Sequence, residues 1–301
     1  MSLCAVLHPA GRAAVDVSQG TQQVVTLPGR FAYHDARGSL WIAEGDGSGR
    51  RRLTDPPEGA FDFDPDWAPD GRRLVYRRDF KGAGGSVARS EVRVVGIDCR
   101  DELVRPGSFP AWSPDGRWIA LTAEKGIVSV RPDGEGERLL DASGECATWS
   151  PIGSRIAYCS NDFDSPLSDD WDVIVMATDG SEKRQLTTDP GRDYPYSWSP
   201  DASEIAFTSE RDGANRVWVM DADGAEQRRL TDLDSDYETV VAWLPDGALL
   251  VSIDSPAGEF RGWYLANRSG ELTGRVDVLP AEICCGEGQV AYWRAPDVID
   301  R

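Results

Sequence analysis

The feature that most constrains the fold is an internal repeat in which a tryptophan is followed by a tight turn. The repeat recurs at spacings of 45, 37, 49 and 45 residues, and its five tryptophans are Trp67, Trp112, Trp149, Trp198 and Trp243. A period of about 40 to 45 residues is typical of one supersecondary unit, which buries its faces only by stacking on copies of itself. The sequence therefore predicts a ring or an array of similar units.

Each copy continues with short β-rich runs separated by turn dipeptides. Residues 198–232 show the unit most fully, with β-rich runs at 205–207 and 217–220, an Asp-Gly turn at 223–224 and Leu-Thr-Asp at 230–232. The Asp-Gly dipeptide readily adopts the positive φ that a tight hairpin needs. Each unit is predicted to be a four-stranded antiparallel meander, the blade of a β-propeller, with its tryptophan packed between neighbouring blades.

The repeats predict an all-β fold with a single β-propeller domain over residues 1–301. Recognisable copies run from about residue 20 to about residue 280, and the terminal segments are expected to close the ring. Residues 26–54 form a shortened copy, which makes six blades. Seven blades remain the alternative, in which the two terminal segments form a further unit together.

The pattern of residues 198–232 resembles the repeat of TolB-type β-propellers, and it is similar to the propeller domains of prolyl-oligopeptidase-type peptidases. It contains Trp-Ser-Pro-Asp, then Val-Trp-Val-Met-Asp-Ala-Asp-Gly, then Arg-Leu-Thr. This resemblance implies a bacterial, six-bladed ring that mainly holds other proteins.

Charge and cysteine content restrict the partners and the compartment. The 51 acidic residues outnumber the 32 Lys and Arg residues, giving a formal net charge of −19. Such a surface repels nucleic acid and anionic membranes, so we expect a protein or a small cationic ligand as partner. The six cysteines form no CxxC pair, and the N-terminal residues lack the pattern of a signal peptide. These features predict reduced thiols in a cytoplasmic protein.

Residues with recognisable chemistry are sparse. The sequence has no G-x-S-x-G motif and only two histidines, His8 and His34, which are predicted to have no catalytic or metal-binding role. We therefore expect a non-catalytic binding module without a cofactor. Calcium at the acidic residues 162–172 is a weaker alternative, because that segment lacks the Gly and the closing Glu of an EF-hand loop. The rival function is a small-molecule enzyme, of hydrolase or lyase type, that uses carboxylates in the propeller channel.

The acidic residues are predicted to concentrate on one face of the ring. Loops between blades, and loops between the second and third strands of a blade, open at the same end of a propeller, and here both sets are rich in Asp and Glu. Carboxylates at a channel mouth create a negative potential that attracts a cation or a basic protein segment. Satisfaction by local hydrogen bonds, without any ligand, is the alternative. The predicted ligand or partner site comprises Asp64, Asp66, Glu145, Asp193, Tyr194, Tyr196, Asp236 and Glu238.

Overall fold

The fold consists almost entirely of strands. The computed structural model describes residues 24–27, 29–161, 170–231, 233, 235, 237–254, 261–277 and 290–293. Within these ranges the single helical segment is a three-residue 3-10 turn at Ala83–Gly85, and no helix is long and apolar enough to cross a membrane. The described strands form six four-stranded antiparallel sheets, which are the blades.

The strands are numbered in chain order, and each blade is given from its innermost strand outwards. Blades 1 and 2 comprise β24 (Val290–Trp293), β1 (Arg30–His34), β2 (Leu40–Glu44) and β3 (Arg51–Arg52), then β4 (Ala60–Trp67), β5 (Arg73–Lys81), β6 (Val87–Gly96) and β7 (Asp101–Pro106). Blades 3 and 4 comprise β8 (Ser108–Trp112), β9 (Ile119–Ala123), β10 (Gly126–Val130) and β11 (Arg138–Asp141), then β12 (Glu145–Trp149), β13 (Arg155–Ser160), β14 (Asp172–Ala177) and β15 (Arg184–Gln185). Blades 5 and 6 comprise β16 (Asp193–Trp198), β17 (Glu204–Ser209), β18 (Arg216–Asp221) and β19 (Arg228–Arg229), then β20 (Tyr237–Trp243), β21 (Leu249–Asp254), β22 (Arg261–Ala266) and β23 (Leu272–Val276).

The six-bladed prediction is confirmed, and the seventh blade is not needed. The C-terminal strand β24 becomes the innermost strand of blade 1 by pairing with β1. In that register Tyr292 is paired with Phe31, so an aromatic residue occupies the position that Trp occupies in the other blades. The N-terminal segment closes the ring at a second place, because Val24 forms a parallel bridge to Arg275 at the outer edge of blade 6.

Apolar packing between consecutive blades forms the core. There are six clusters of buried side chains, and each is shared by two neighbouring blades, including one that joins blade 6 to blade 1. The six inner strands also contact one another in order around the axis. This arrangement explains why a single blade cannot be stable alone: both faces of its sheet are covered only by its neighbours.

The repeated tryptophans lie in these clusters, as the sequence predicts. Trp67, Trp112, Trp198 and Trp243 are only 5% to 6% exposed, whereas Trp149 is half-buried. The indole NH of Trp198 donates to the backbone carbonyl of Thr148 in the preceding blade, at 3.4 Å. The ring therefore both fills the seam between two blades and ties them together.

Three of the six cysteines lie in the described part of the chain. Cys99, Cys146 and Cys159 form no disulfide bond with one another. Cys4, Cys284 and Cys285 lie outside the described residues, as does His8.

Replacing Trp198 by Ala is expected to lower the free energy of unfolding by about 3 to 5 kcal/mol, because the indole leaves a cavity in the seam between blades 4 and 5. Denaturant unfolding measures the loss. Leu139→Ala is the control, since Leu139 is 53% exposed and its truncation should change stability little. Equal effects of the two substitutions would contradict the packing role of Trp198.

Candidate functional site

The candidate site lies at the end of the channel where the inner strands begin. In blades 2 to 6, the chain enters the inner strand at this end and reaches the repeated tryptophan at the opposite end, because these blades share one strand order. We call the first end the channel-mouth face. It carries the loops between blades and the loops between the second and third strands of each blade, as the sequence predicts.

Buried carboxylates occur at one equivalent position in three inner strands. Asp62, Asp193 and Glu238 each lie five residues before the repeated tryptophan and are at most 1% exposed. In blades 3 and 4 the same position is glycine. A Cβ at Gly144 would lie 2.5 Å from the Tyr158 ring, and a Cβ at Gly107 would lie 2.6 Å from Leu121. Tight packing therefore replaces the carboxylate in those two blades.

Each of these carboxylates has a fixed set of donors. Asp62 accepts two hydrogen bonds from the Arg78 guanidinium, at 2.6 and 2.8 Å. Burial nevertheless raises the pKa of Asp62, since desolvation outweighs the ion pair. Glu238 accepts hydrogen bonds of 2.6 Å from both Thr231 and Ser235. These groups are structural elements of the ring rather than exposed ligands for a cation.

Asp193 is buried in the same way. Its carboxylate lies 2.8 Å from Arg211, whose other nitrogen contacts the exposed Asp189 at 2.8 Å. Burial raises the pKa of Asp193, and Arg211 opposes that shift. The expectation that Asp193 and Glu238 present open charge to a ligand is therefore corrected: both side chains are buried and hydrogen-bonded within the ring.

Asp64 and Asp66 lie on β4, but they are not equivalent to Asp193 and Glu238. The equivalent residue is Asp62, which the sequence analysis did not assign to the site; counting five residues back from each tryptophan would have found it. Asp64 is ion-paired with Arg77 at 3.1 Å.

The expectation that Asp66 lies at the channel mouth is also corrected. It precedes Trp67 near the opposite end of β4, and its carboxylate accepts a 2.7 Å hydrogen bond from the backbone NH of Trp112 in blade 3. In the same way, the Ser197 hydroxyl accepts a 3.2 Å hydrogen bond from the backbone NH of Trp243 in blade 6. This position joins consecutive blades.

Aromatic and remaining acidic residues complete the predicted set. Tyr194 stacks on Trp171 with ring centres 6.3 Å apart, and Tyr196 is half-buried on the same strand. Burial raises the pKa of Glu145, and no described residue donates a hydrogen bond to its carboxylate. Asp236 lies outside the described residues.

Bulges displace the inner strands just before the tryptophan. The pairing register shifts in β4, β8, β12, β16 and β20. At the third residue before the tryptophan, Asp64, Phe109 and Cys146 have left-handed backbone, with φ of 50°, 48° and 56°. Such a conformation is costly for residues with a side chain and is maintained by the surrounding structure. These bulges change the direction of the side chains around the channel in blades 2 to 4.

A cluster of aromatic rings and arginine lies beside these bulges. The guanidinium carbon of Arg77 is 5.5 Å from the centre of the Phe63 ring and 5.0 Å from that of Phe109. Phe63 also meets His34 edge to face at 5.1 Å, and burial lowers the pKa of His34. Ion pairing to Asp64 holds Arg77 in place. The result is a fixed aromatic and cationic wall across blades 1 to 3.

The acidic residues of the ring raise the question of a bound metal ion. Within the described residues, no group of three or more His, Cys, Asp or Glu side chains is arranged to hold a metal ion. Of the acidic segment that the sequence raised for calcium, Asp162, Asp164 and Asp169 lie outside the described residues.

Comparison with known proteins identifies the family. Residues 110–272, more than half of the chain, match the PD40 family, the TolB beta propeller domain. This chain belongs to that family. The chain is 35% identical over 123 residues to the uncharacterized peptidase YuxL of Bacillus subtilis and 28% identical over 166 residues to a TolB homologue of Chlorobium luteolum. These matches cover 37% and 52% of this chain but only 17% and 37% of the relatives.

Solved structures show the same fold at low sequence identity. TolB of Acinetobacter baumannii superposes with a TM-score of 0.59 at 16% identity, over 88% of this chain and 66% of that one. The nidogen/laminin complex has a TM-score of 0.60 at 10% identity, over 88% and 98%. Oligogalacturonate lyase of Vibrio parahaemolyticus has a TM-score of 0.57 at 15% identity, over 78% and 73%. PD40 propellers thus share their fold with both binding proteins and enzymes.

Replacing Asp193 by Ala is expected to lower the free energy of unfolding by about 1 to 3 kcal/mol, because the substitution leaves Arg211 with only the exposed Asp189 as a carboxylate partner. Asp212→Ala is the matched control, since Asp212 is an exposed carboxylate at the same end of the ring. Chemical denaturation of both variants measures the difference. A stable Asp193→Ala protein would show that this carboxylate is not a structural element.

Asp66 predicts a specific pH dependence. Burial raises its pKa from 3.8 to about 6, so the folded state binds the proton more tightly than the unfolded state. As the pH falls from 7 through 6 towards 4, this group should therefore add to stability. Asp66→Asn keeps an oxygen for the Trp112 NH and removes the charge. We expect Asp66→Asn to be more stable than wild type at pH 7.5, with the difference shrinking towards about pH 4.5 in urea unfolding. A difference that does not change with pH would contradict the assignment.

Proposed function

We propose that this PD40 propeller is a binding module that holds a partner protein at its channel-mouth face. The observation that carries the proposal is the set of half-buried aromatic residues on or beside the inner strands at that face. They are Phe61, Phe63, Phe109, Tyr194, Tyr196 and Tyr237. Aromatic and arginine side chains supply most of the binding energy in protein interfaces, because they bury a large area with few rotatable bonds.

The arrangement of these residues supports a preformed interface. Phe61 and Phe63 are stacked with ring centres 6.3 Å apart, and the Lys81 ammonium lies 4.0 Å from the Phe61 ring centre. Arg77 is fixed between Phe63 and Phe109 by its ion pair with Asp64. Rings that are already ordered lose little conformational entropy when a partner binds.

The exposed acidic residues add electrostatic attraction. Asp55, Glu58, Glu210 and Asp212 lie in loops of the channel-mouth face and are exposed, unlike the buried carboxylates of the inner strands. Glu145 is the half-buried carboxylate that a cationic group of the partner can reach at the strands themselves. A basic protein segment is therefore the favoured partner, since exposed charge of one sign accelerates the association of its complement.

Relatives and structural neighbours are consistent with this proposal at the level of the fold. A TolB homologue is among the relatives, and a propeller from the nidogen/laminin complex is among the structural neighbours. Both point towards protein binding as a use of this ring. Because the chain covers only part of its relatives, the partner is identified here by chemistry alone: a basic protein segment.

A second candidate function, carboxylate-based catalysis on a small molecule, is favoured by one carboxylate near blades 4 and 5. Burial, together with the negative charges of Asp170 and Asp193, raises the pKa of Asp172 to about 6. A carboxyl group that titrates near neutral pH can act as a general acid or base. If Asp172→Asn abolished turnover of any substrate while leaving protein capture intact, the catalytic alternative would replace the binding proposal.

The binding proposal is tested by affinity capture with matched variants. The immobilised protein is exposed to lysate of the source organism, and retained proteins are quantified by mass spectrometry. The double variant Phe109→Asn, Tyr196→Ser removes two rings of the channel-mouth face, and Asn tolerates the left-handed backbone at position 109. Leu103→Ser is the control, because Leu103 is 52% exposed on the outermost strand of blade 2.

We expect wild type and Leu103→Ser to retain the same basic protein. The double variant should lose at least about tenfold, equal to about 1.4 kcal/mol. Retention should also fall as the salt concentration rises, since exposed charges are screened. Equal retention by all three proteins, or retention of nothing, would contradict the proposal.

A further inference from the structure

At the end of the ring opposite the channel-mouth face, two seams between blades are covered by an arginine of the chain itself. Arg73 of blade 2 lies 5.0 Å from the ring centre of Trp112 in blade 3 and is held by Asp70 at 3.0 Å. In the seam between blades 5 and 6, Arg268 lies 5.2 Å from the ring centre of Trp243 and is held by Glu204 at 3.0 Å. A guanidinium on an indole, fixed by a carboxylate, thus closes both seams.

The seam between blades 3 and 4 departs from this arrangement. The position of Arg73 is occupied by Trp118, two residues after the same Gly in the turn. The position that is Asp in the other four turns is Ile152 in blade 4, and this side chain is 68% exposed. Among the described residues no arginine lies over Trp149 or Trp198, but Trp198 is buried, whereas Trp149 alone of the five tryptophans is half-buried.

A cavity of about 420 Å³ occupies this seam. Its walls include the two indoles of Trp118 and Trp149, with Ile152 at its edge. The indole NH of Trp149 donates to the carbonyl of Ala111 at 3.2 Å, and the Arg138 guanidinium covers one side of Trp118 at 4.1 Å. Both aromatic walls are therefore held in position without a ligand.

This seam retains a carboxylate at the position of Asp70, which pairs with Arg73 in the seam between blades 2 and 3. Asp115 corresponds to Asp70 in the repeat, lines the same cavity and has a side chain that is 54% exposed. Its Oδ1 accepts hydrogen bonds from the Ser113 hydroxyl at 2.6 Å and the backbone NH of Arg117 at 3.0 Å, and its Oδ2 lies 3.9 Å from the 82% exposed guanidinium side chain of Arg117. Although burial alone would raise the pKa of Asp115, these donors lower it, so the carboxylate is charged at neutral pH.

We propose that the seam between blades 3 and 4 binds the side chain of an arginine presented by another protein, with the guanidinium on Trp149 and paired with Asp115. The chain contains an example of this arrangement, because in the seam between blades 2 and 3 Arg73 lies on Trp112 and pairs with Asp70. The cavity falls in the size range of ligand pockets and accommodates one long side chain. The exposed Ile152 gives the partner's backbone an apolar contact, and the net charge of −19 favours a basic partner.

Binding of short blocked peptides tests the proposal directly. The probe is the acetylated and amidated tripeptide Gly-Arg-Gly, titrated by calorimetry against the whole protein at millimolar concentration. The comparison peptides carry citrulline, Lys, Glu or Leu at the central position. Citrulline has the shape of arginine without its charge, so it isolates the contribution of the guanidinium.

We expect the Arg peptide to bind at least about tenfold more tightly than each comparison peptide. Absence of binding by the Arg peptide would overturn the proposal. Equal affinity for the citrulline peptide would also overturn it, because the charge of the guanidinium would then contribute nothing. Tighter binding of the Lys, Glu or Leu peptide would overturn it as well, because the cavity would then prefer a different side chain.

Variants of the chain provide the second test. Trp118→Arg places the repeat's own guanidinium over Trp149, and we expect it to reduce peptide binding at least about tenfold. Asp115→Asn removes the exposed partner carboxylate without changing the fold and should weaken binding similarly. Asp98→Asn is the control, since Asp98 is an exposed carboxylate in another turn at this end of the ring. Wild-type affinity in folded Trp118→Arg or in Asp115→Asn would overturn the proposal.

Discussion

Apolar packing between neighbouring blades is the interaction on which the rest of the structure depends. Each of the six buried clusters draws its side chains from two consecutive sheets, so no blade has a core of its own. Closure of the ring is required for the same reason. The C-terminal strand completes blade 1 from the inside, and the N-terminal segment extends the outer edge of blade 6. These contacts near the two ends of the chain thus provide the ring closure that packing between blades requires.

A rigid ring determines what the acidic residues can do. Carboxylates on the inner strands, such as Asp62 and Asp193, are buried and bound to arginine, so their charge is used inside the protein. Four carboxylates in the described loops of the channel-mouth face remain in solvent: Asp55, Glu58, Glu210 and Asp212. The function proposed for that face therefore rests on two separate properties: long-range attraction from the loops, and contact with ordered aromatic rings on the strands.

The sequence predicts the fold well because the repeat is local. A tryptophan, a turn and a β-rich run specify a blade, and five similar copies leave few alternatives to a ring. Burial of the acidic residues is not predictable in the same way. Asp64 and Asp193 are both buried acidic residues on inner strands, but only Asp193 lies five residues before its tryptophan. A strand shifted by one residue reverses its faces, and the bulges before the tryptophans shift the register further. Alignment of the copies on tryptophan recovers Asp62 as the equivalent of Asp193, whereas Arg78 and Arg211 as their partners follow only from three-dimensional packing.

Hydroxyl-radical footprinting of the complex with the captured partner tests the central claim most directly, because it reports the solvent contact of individual aromatic rings. The account predicts that oxidation of Phe61, Phe109 and Tyr196 falls when the partner is bound. Oxidation of Leu103 and Leu139, which are exposed on the outer strands, should stay the same. Protection of the two leucines with unchanged oxidation of the three aromatic residues would place the partner on the outside of the ring and contradict the account.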